Sequence, residues 1–163
     1  SIAEQLGGID ILINNAGGGD FGSIAEMSSE VWEQVIKTNL FGVYYVAKAV
    51  YPFLKEKGEG DVVNVASTAG LKGGPNMSAY AASKAAVVSL SQSMMAEWRK
   101  ENIRVVTLTP STIASDMSIN GGLTDGNPQT VLQPEDFAEW VRDILKMNRR
   151  ALIANGSIFS TNP

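Results

Sequence analysis

Three short apolar runs, separated by long helical patterns, constrain this chain more than any other feature in it. The runs are Ile9 to Ile13, Val62 to Ala66 and Ile103 to Leu108. Each is β-branched and nearly continuous, as parallel strands covered on both faces are. Ser28 or Ser29 can cap a helix through Glu30, Trp32 and Val35, continuing from Leu40 to Lys57 until Gly58 and Gly60 stop it. A second helix is expected from Ser78 to Lys100. A third starts at Pro134, where Glu135 and Asp136 complement the helix dipole. It carries Phe137, Val141, Ile144 and Leu145 on one face, and Ala151 to Phe159 reads as a last strand. Alternating strand and helix predicts an α/β fold, a doubly wound parallel sheet, as a single domain over residues 1–163. Ser118 to Gln133 is polar and Gly-rich, and reads as a long mobile loop, either a substrate lid or a plain surface connection.

The missing residue types narrow the chemistry. The chain has no cysteine and no histidine. That removes disulfides, thiolate nucleophiles, a Ser-His-Asp triad and any Cys- or His-ligated metal. A general acid or base must come from Asp, Glu, Lys or Tyr. The net charge of -4 argues against nucleic acid as a partner. No apolar run reaches the length of a membrane span, and the first residues lack a signal-peptide pattern. The expectation is a cytoplasmic protein with no metal, no membrane and no nucleic acid.

Ligands of an open parallel sheet bind at the carboxyl ends of its strands. Asn14-Asn15-Ala16-Gly17 follows the first run, Ser67-Thr68-Ala69-Gly70 the second, and Pro110-Ser111-Thr112-Ile113-Ala114-Ser115 the third. The small residues of the first turn let a flat ligand approach the backbone. Tyr80 and Lys84 stand four apart, on one helical face. A nearby ammonium favours the ionised phenol and lowers its pKa toward neutrality, making Tyr80 a proton donor or acceptor. Ser67 can hydrogen-bond the same substrate oxygen. Such a trio suits adding a hydride to a carbonyl, or removing one from an alcohol. Tyr-x-x-x-Lys alone is a common spacing; its coincidence with Ser67 and the Asn-Asn-Ala-Gly turn gives it weight. Asn39 sits inside a helical pattern where Asn is a poor helix former. It marks either a locally satisfied kink or a distortion that frees a carbonyl to hold a water near Lys84.

Taken in order, Asn14-Asn15-Ala16-Gly17, Asn39, Ser67, Tyr80-x-x-x-Lys84 and a Pro110-led loop resemble the short-chain dehydrogenase/reductase family over nearly the whole chain. The phrases Leu6 to Gly17 and Tyr80 to Ala85 most resemble its 3-oxoacyl-acyl-carrier-protein reductase-like branch. The resemblance implies a Rossmann-like sheet and an NAD- or NADP-dependent oxidoreductase, acting on a small-molecule carbonyl or an acyl thioester. It implies that Tyr80 is the acid or base and that Lys84 lowers the Tyr80 pKa and holds the nicotinamide ribose. Ser67 would polarise the substrate carbonyl, and Asn39 would support a water in a proton relay. Asn15, Ala16 and Gly17 would line the adenosine side of the cofactor. Pro110 would lead the cofactor loop, with Ile113 and Ser115 at the nicotinamide end. A homo-oligomer, dimer or tetramer, is implied through the helices bearing Asn39 and Tyr80.

Two departures carry further expectations. The family has Pro-Gly after the third strand, where this chain has Pro110-Ser111, so a local adjustment is expected there. No Gly-x-x-x-Gly-x-Gly precedes Ile9. The phosphate-binding part is expected to be lacking, at least two βα units or about 60 residues at about 30 per unit. The chain then reads as the catalytic C-terminal part of a partial Rossmann-type domain, with the first strand left at an exposed apolar edge. It is expected to bind dinucleotide poorly and to associate. The competing expectation is a non-catalytic remnant that serves as an oligomerisation or interaction module.

Overall fold

The apolar runs form a parallel four-stranded sheet in the computed structural model, which describes residues 2–161. Ser1, Asn162 and Pro163, the ends of the expected domain, lie outside the described residues. The strands are β1 (Ile11–Asn14), β2 (Gly60–Val65), β3 (Ile103–Pro110) and β4 (Asn155–Ile158), in the order β1-β2-β3-β4. Val62 pairs with Val105, and Val63 with Val106. The last strand is shorter than the expected 151–159, because the chain around Ala151 instead turns its carbonyl to Arg104.

The helices are α1 (Ile2–Leu6), α2 (Ser29–Ile36), α3 (Gly42–Lys57), α4 (Ser78–Trp98), α5 (Asp116–Asn120) and α6 (Pro134–Lys146). Ser28 caps α2 by accepting from Val31 N–H. Gly58 ends α3 at φ 76°, a left-handed position that glycine fills without strain. Its N–H returns to the Leu54 and Lys55 carbonyls. The expected helix to Lys100 tightens after Trp98 into a short turn over Arg99–Glu101.

Strand alternation divides the core into two layers. Val62 and Val105 pack on Leu54 and Met94, from α3 and α4. Val63, Val106 and Leu108 face Val141 and Ile144 of α6. Burial of each such side chain contributes about 1.5–3 kcal/mol. Trp98 and Trp140 join these two layers as packing residues. At the outer position β1 leaves Ile11 and Ile13 46% and 47% exposed, the apolar edge the sequence predicts.

Two expectations change. The 118–133 stretch is not a free loop from its start. Asp116–Asn120 is helical, Ser118 is buried, and its hydroxyl donates to Ile113 O at 2.6 Å. Leu132 bridges to Ile113 at the far end. Ser111 needs no left-handed backbone, since the non-glycine residues with positive φ among those described are Asn76 and Asn102. Its N–H donates to Ile158 O, so the residue that replaces glycine is accommodated by β4.

Candidate active site

The carboxyl ends of β1, β2 and β3 open into one cleft of about 1470 Å³. Ser67, Tyr80 and Lys84 line it together. Asn15 and Gly17 stand on one side, and Pro110, Ile113 and Ser115 on another. Asn39 and Ala16 are not on its wall. The charged residues that line it are Lys72, Lys84, Arg142 and Lys146; no carboxylate does, among the described residues. Arg142 is paired with Asp143 and Glu139, which leaves Lys72, Lys84 and Lys146 to give the cleft the positive potential that suits an anionic ligand.

Burial raises the pKa of the Tyr80 phenol, and the nearby Ser67 hydroxyl, which lowers it, offsets that only in part, so the net shift is upward. The Ser67 hydroxyl accepts from Ala69 N–H at 3.1 Å. Lys84 is buried; its ammonium donates to Val65 O at 2.9 Å and lies 5.7 Å from the centre of the Tyr80 ring. Burial pushes its pKa down to about 8. The expected drop in the Tyr80 pKa is therefore not found. The ammonium is turned to a strand carbonyl and the ring, and desolvation decides both shifts. Tyr80 holds its proton firmly at neutral pH.

Asn39 falls in a π-helical turn over Lys37–Phe41 that separates α2 from α3. The polar residue in the helical pattern marks that distortion. Its side chain is fully engaged. The amide oxygen accepts from Gly18 N–H at 2.9 Å, and the amide nitrogen donates to Gly18 O at 2.8 Å and Ser83 Oγ at 2.9 Å. Ser83 donates in turn to Tyr80 O at 2.7 Å. Asn39 thus ties the glycine-rich turn to the helix that carries Tyr80 and Lys84. A Cβ on Gly17 would lie 3.1 Å from Asn39 Oδ1 and 3.3 Å from Lys84 Nζ. The small residue at Gly17 is required by these two side chains, where the sequence suggested room for a flat ligand.

Other members are structural supports. The buried Asn14 donates to its cross-strand partner Asn64 at 2.8 Å, and Asn64 donates to Ser91 at 2.9 Å. Ser115 caps α5 and shares its hydroxyl with Ser118. Sequence reasoning gave no role to Ser83, Asn64 or Phe21. Asn64 was detectable as a polar residue inside an apolar strand. Ser83 was detectable as the third residue after Tyr80 on the same helical face. Phe21 was detectable as an aromatic alone in a polar, glycine-rich stretch.

The family model described as short chain dehydrogenase matches residues 1–125. The inactive 2-(S)-hydroxypropyl-CoM dehydrogenase 2 of Xanthobacter autotrophicus is 35% identical over 98% of this chain and 74% of its own. A 3-oxoacyl-acyl-carrier-protein reductase of Thermotoga maritima is 37% identical over 72% of this chain and 48% of its own. Among solved structures, an alcohol dehydrogenase from Thermococcus sibiricus complexed with 5-hydroxy-NADP is 27% identical with a TM-score of 0.88. It matches 99% of this chain and 67% of that one. These matches span from about half to three quarters of each relative's length.

Proposed function

From the premise that the chain belongs to the short-chain dehydrogenase family, with the 3-oxoacyl reductase-like branch among its relatives, we propose that it is the catalytic part of an NAD(P)-dependent oxidoreductase. The substrate we propose is a ketone or secondary alcohol, a 3-oxoacyl thioester or similar compound. The observation that carries the reading is the meeting of Ser67, Tyr80 and a buried Lys84 on the wall of one cleft, which no carboxylate lines among the described residues.

The cationic lining and small-residue turns fit a nicotinamide dinucleotide. Tyr80, Lys84, Ile113 and Ser115 would hold its nicotinamide side, and Asn15 to Gly17 its adenosine side. When bound, that group supplies the hydride. Ser67 presents its hydroxyl to the substrate oxygen. Tyr80, protonated at neutral pH, gives its proton to that oxygen as the carbonyl becomes an alcohol. Lys84 places positive potential beside the phenolate that results, and solvent restores the proton. In the oxidative direction Tyr80 must first lose its proton, so oxidation is expected to rise with pH where reduction does not.

The test is reduction of an acetoacetyl thioester with NADPH, beside an NADPH titration followed by nucleotide fluorescence. Tyr80→Phe is expected to lower kcat about 10²–10⁴-fold, with a far smaller effect on NADPH affinity, since Lys84, Ile113 and Ser115 still hold the nicotinamide side. An active Tyr80→Phe would remove Tyr80 from the chemistry.

A second reading is an interaction module. Phe41, Tyr44 and Tyr45 form an exposed aromatic stripe where α3 begins, with rings 5.4 and 6.3 Å apart. It suits pairing of two copies as a homo-oligomer. Tyr80→Phe separates the readings, since pairing through this stripe does not require Tyr80.

A further inference from the structure

We propose that Phe21 is the specificity-determining wall of the substrate site, setting the size of the group the carbonyl carries beside Tyr80. The inference rests on the oxidoreductase reading above and deepens it.

The segment Gly19–Phe21 is a strap fastened on both sides. Before it, the Gly18 N–H and C=O are both bonded to the Asn39 amide. After it, Gly22 N–H donates to Asn76 O at 2.8 Å, and Gly22 bridges to Met77, the residue that precedes α4. The strap therefore holds Phe21 at a fixed place relative to the catalytic helix. The Phe21 ring lies 5.7 Å from the Tyr80 ring, with the planes tilted by 59°. A Cβ on Gly19 would stand 3.0 Å from the Phe21 ring and 3.1 Å from that of Tyr80. The strap passes these rings as closely as glycine allows.

On its other side the ring meets the segment after α5. A Cβ on Gly121 would lie 3.3 Å from two Phe21 ring carbons. Phe21 thus stands between the proton donor and the Met117–Gly121 segment, and it belongs to none of the core clusters. The fold is not using this aromatic as core. Leu71, Met77 and Met117 also line the cleft that Phe21 lines, with apolar, adaptable surface. As a wall, Phe21 would leave room beside Tyr80 for the methyl group of a methyl ketone. A longer acyl chain must displace the ring or leave by another route. Removing the ring therefore changes the relative rates of long and short substrates, because apolar pocket contacts discriminate by about 10–200-fold per methylene-sized change.

The experiment compares kcat/KM with NADPH for the N-acetylcysteamine thioesters of acetoacetate and 3-oxooctanoate, using the full chain. Phe21→Ala is expected to raise the long-to-short ratio at least about tenfold. Phe21→Leu should give an intermediate ratio, and Phe21→Trp should lower it. A merely structural role would reduce both substrates alike, so an unchanged ratio in Phe21→Ala and Phe21→Leu overturns the proposal. If the wild-type chain reduces neither thioester, the oxidoreductase reading fails separately. The two thioesters are then ranked by saturation-transfer NMR binding. A tenfold shift toward the longer one in Phe21→Ala still supports the wall, and its absence overturns it.

Discussion

Two cations are buried at opposite ends of this sheet, and the fold treats them differently. Arg104 is the second residue of β3 and is 7% exposed; Lys84 lies on α4 beside the far end of β2 and is 5% exposed. Arg104 Nε donates to Asp61 Oδ1 at 2.5 Å. Its other nitrogens reach the carbonyls of Leu145, Met147 and Ala151. Arg149 donates to the second Asp61 oxygen at 3.1 Å. Burial is thus matched by a carboxylate and three carbonyls, and the last turn of α6 is fastened to the sheet. Lys84 has one carbonyl and one aromatic ring, and no ion pair with it is found among the described residues. Its pKa falls to about 8 in consequence. A charge surrounded by partners fixes structure. A charge short of partners stands ready to interact with something else, and that shortage is the physical mark of a working site.

The largest effect is expected at the compensated end. Asp61→Ala leaves the Arg104 guanidinium buried without its carboxylate, at a cost of about 3–5 kcal/mol. Urea unfolding measures it. A loss below about 1 kcal/mol would mean that the carbonyls alone satisfy Arg104, and the contrast with Lys84 would weaken.

At the uncompensated end the sign reverses. Lys84 has its pKa near 8 when folded and near 10.5 when unfolded. Between these values the unfolded chain binds more protons, so stability rises with pH across that window. Below about pH 8 the full penalty of the buried ammonium is present, about 3 kcal/mol by the size of the shift. Lys84→Met should be more stable than wild type at pH 7 and should lose the rise between pH 8 and 10. Thermal midpoints across that range check it. A flat wild-type profile would show that Lys84 is as well compensated as Arg104.

The sequence made the two ends of the sheet unequally readable. At the site end, residue types carry the signal: Tyr80 and Lys84 at helical spacing, Ser67 closing an apolar run, Asn39 in a helical pattern. The strands and α6 were legible from β-branched runs and from Pro134. What stayed hidden depends on distance in space. The partners Asp61, Arg104 and Arg149 are separated by 43 and 88 positions, and no periodicity links them. The Tyr80 pKa was misread because i, i+4 spacing brings two side chains to one face but does not say that burial will dominate. The start of the 118–133 segment was misread because the Ser115–Ser118 capping pair is polar and looks like loop.

Asn39 offers the smallest and sharpest test, because it is a buried group with neutral partners on every side. Its amide makes three hydrogen bonds, two to Gly18 and one to Ser83. Asn39→Ala removes all three, but Gly18 is only half-buried and can turn to water. The expected loss is therefore about 1–2 kcal/mol, below that of Asp61→Ala. The local consequence is more telling than the global one. The Gly18 amide, bonded to Asn39 in the wild type, should exchange its hydrogen in Asn39→Ala at the rate of an exposed loop, while the core amides of β2 stay protected. The Phe21 strap would then be held from the Gly22–Asn76 side alone, and discrimination between long and short substrates should loosen without loss of the Tyr80 proton donor. Unchanged protection at Gly18 would mean that the strap does not depend on Asn39, and that its link between the glycine turn and Tyr80 is not what positions the site.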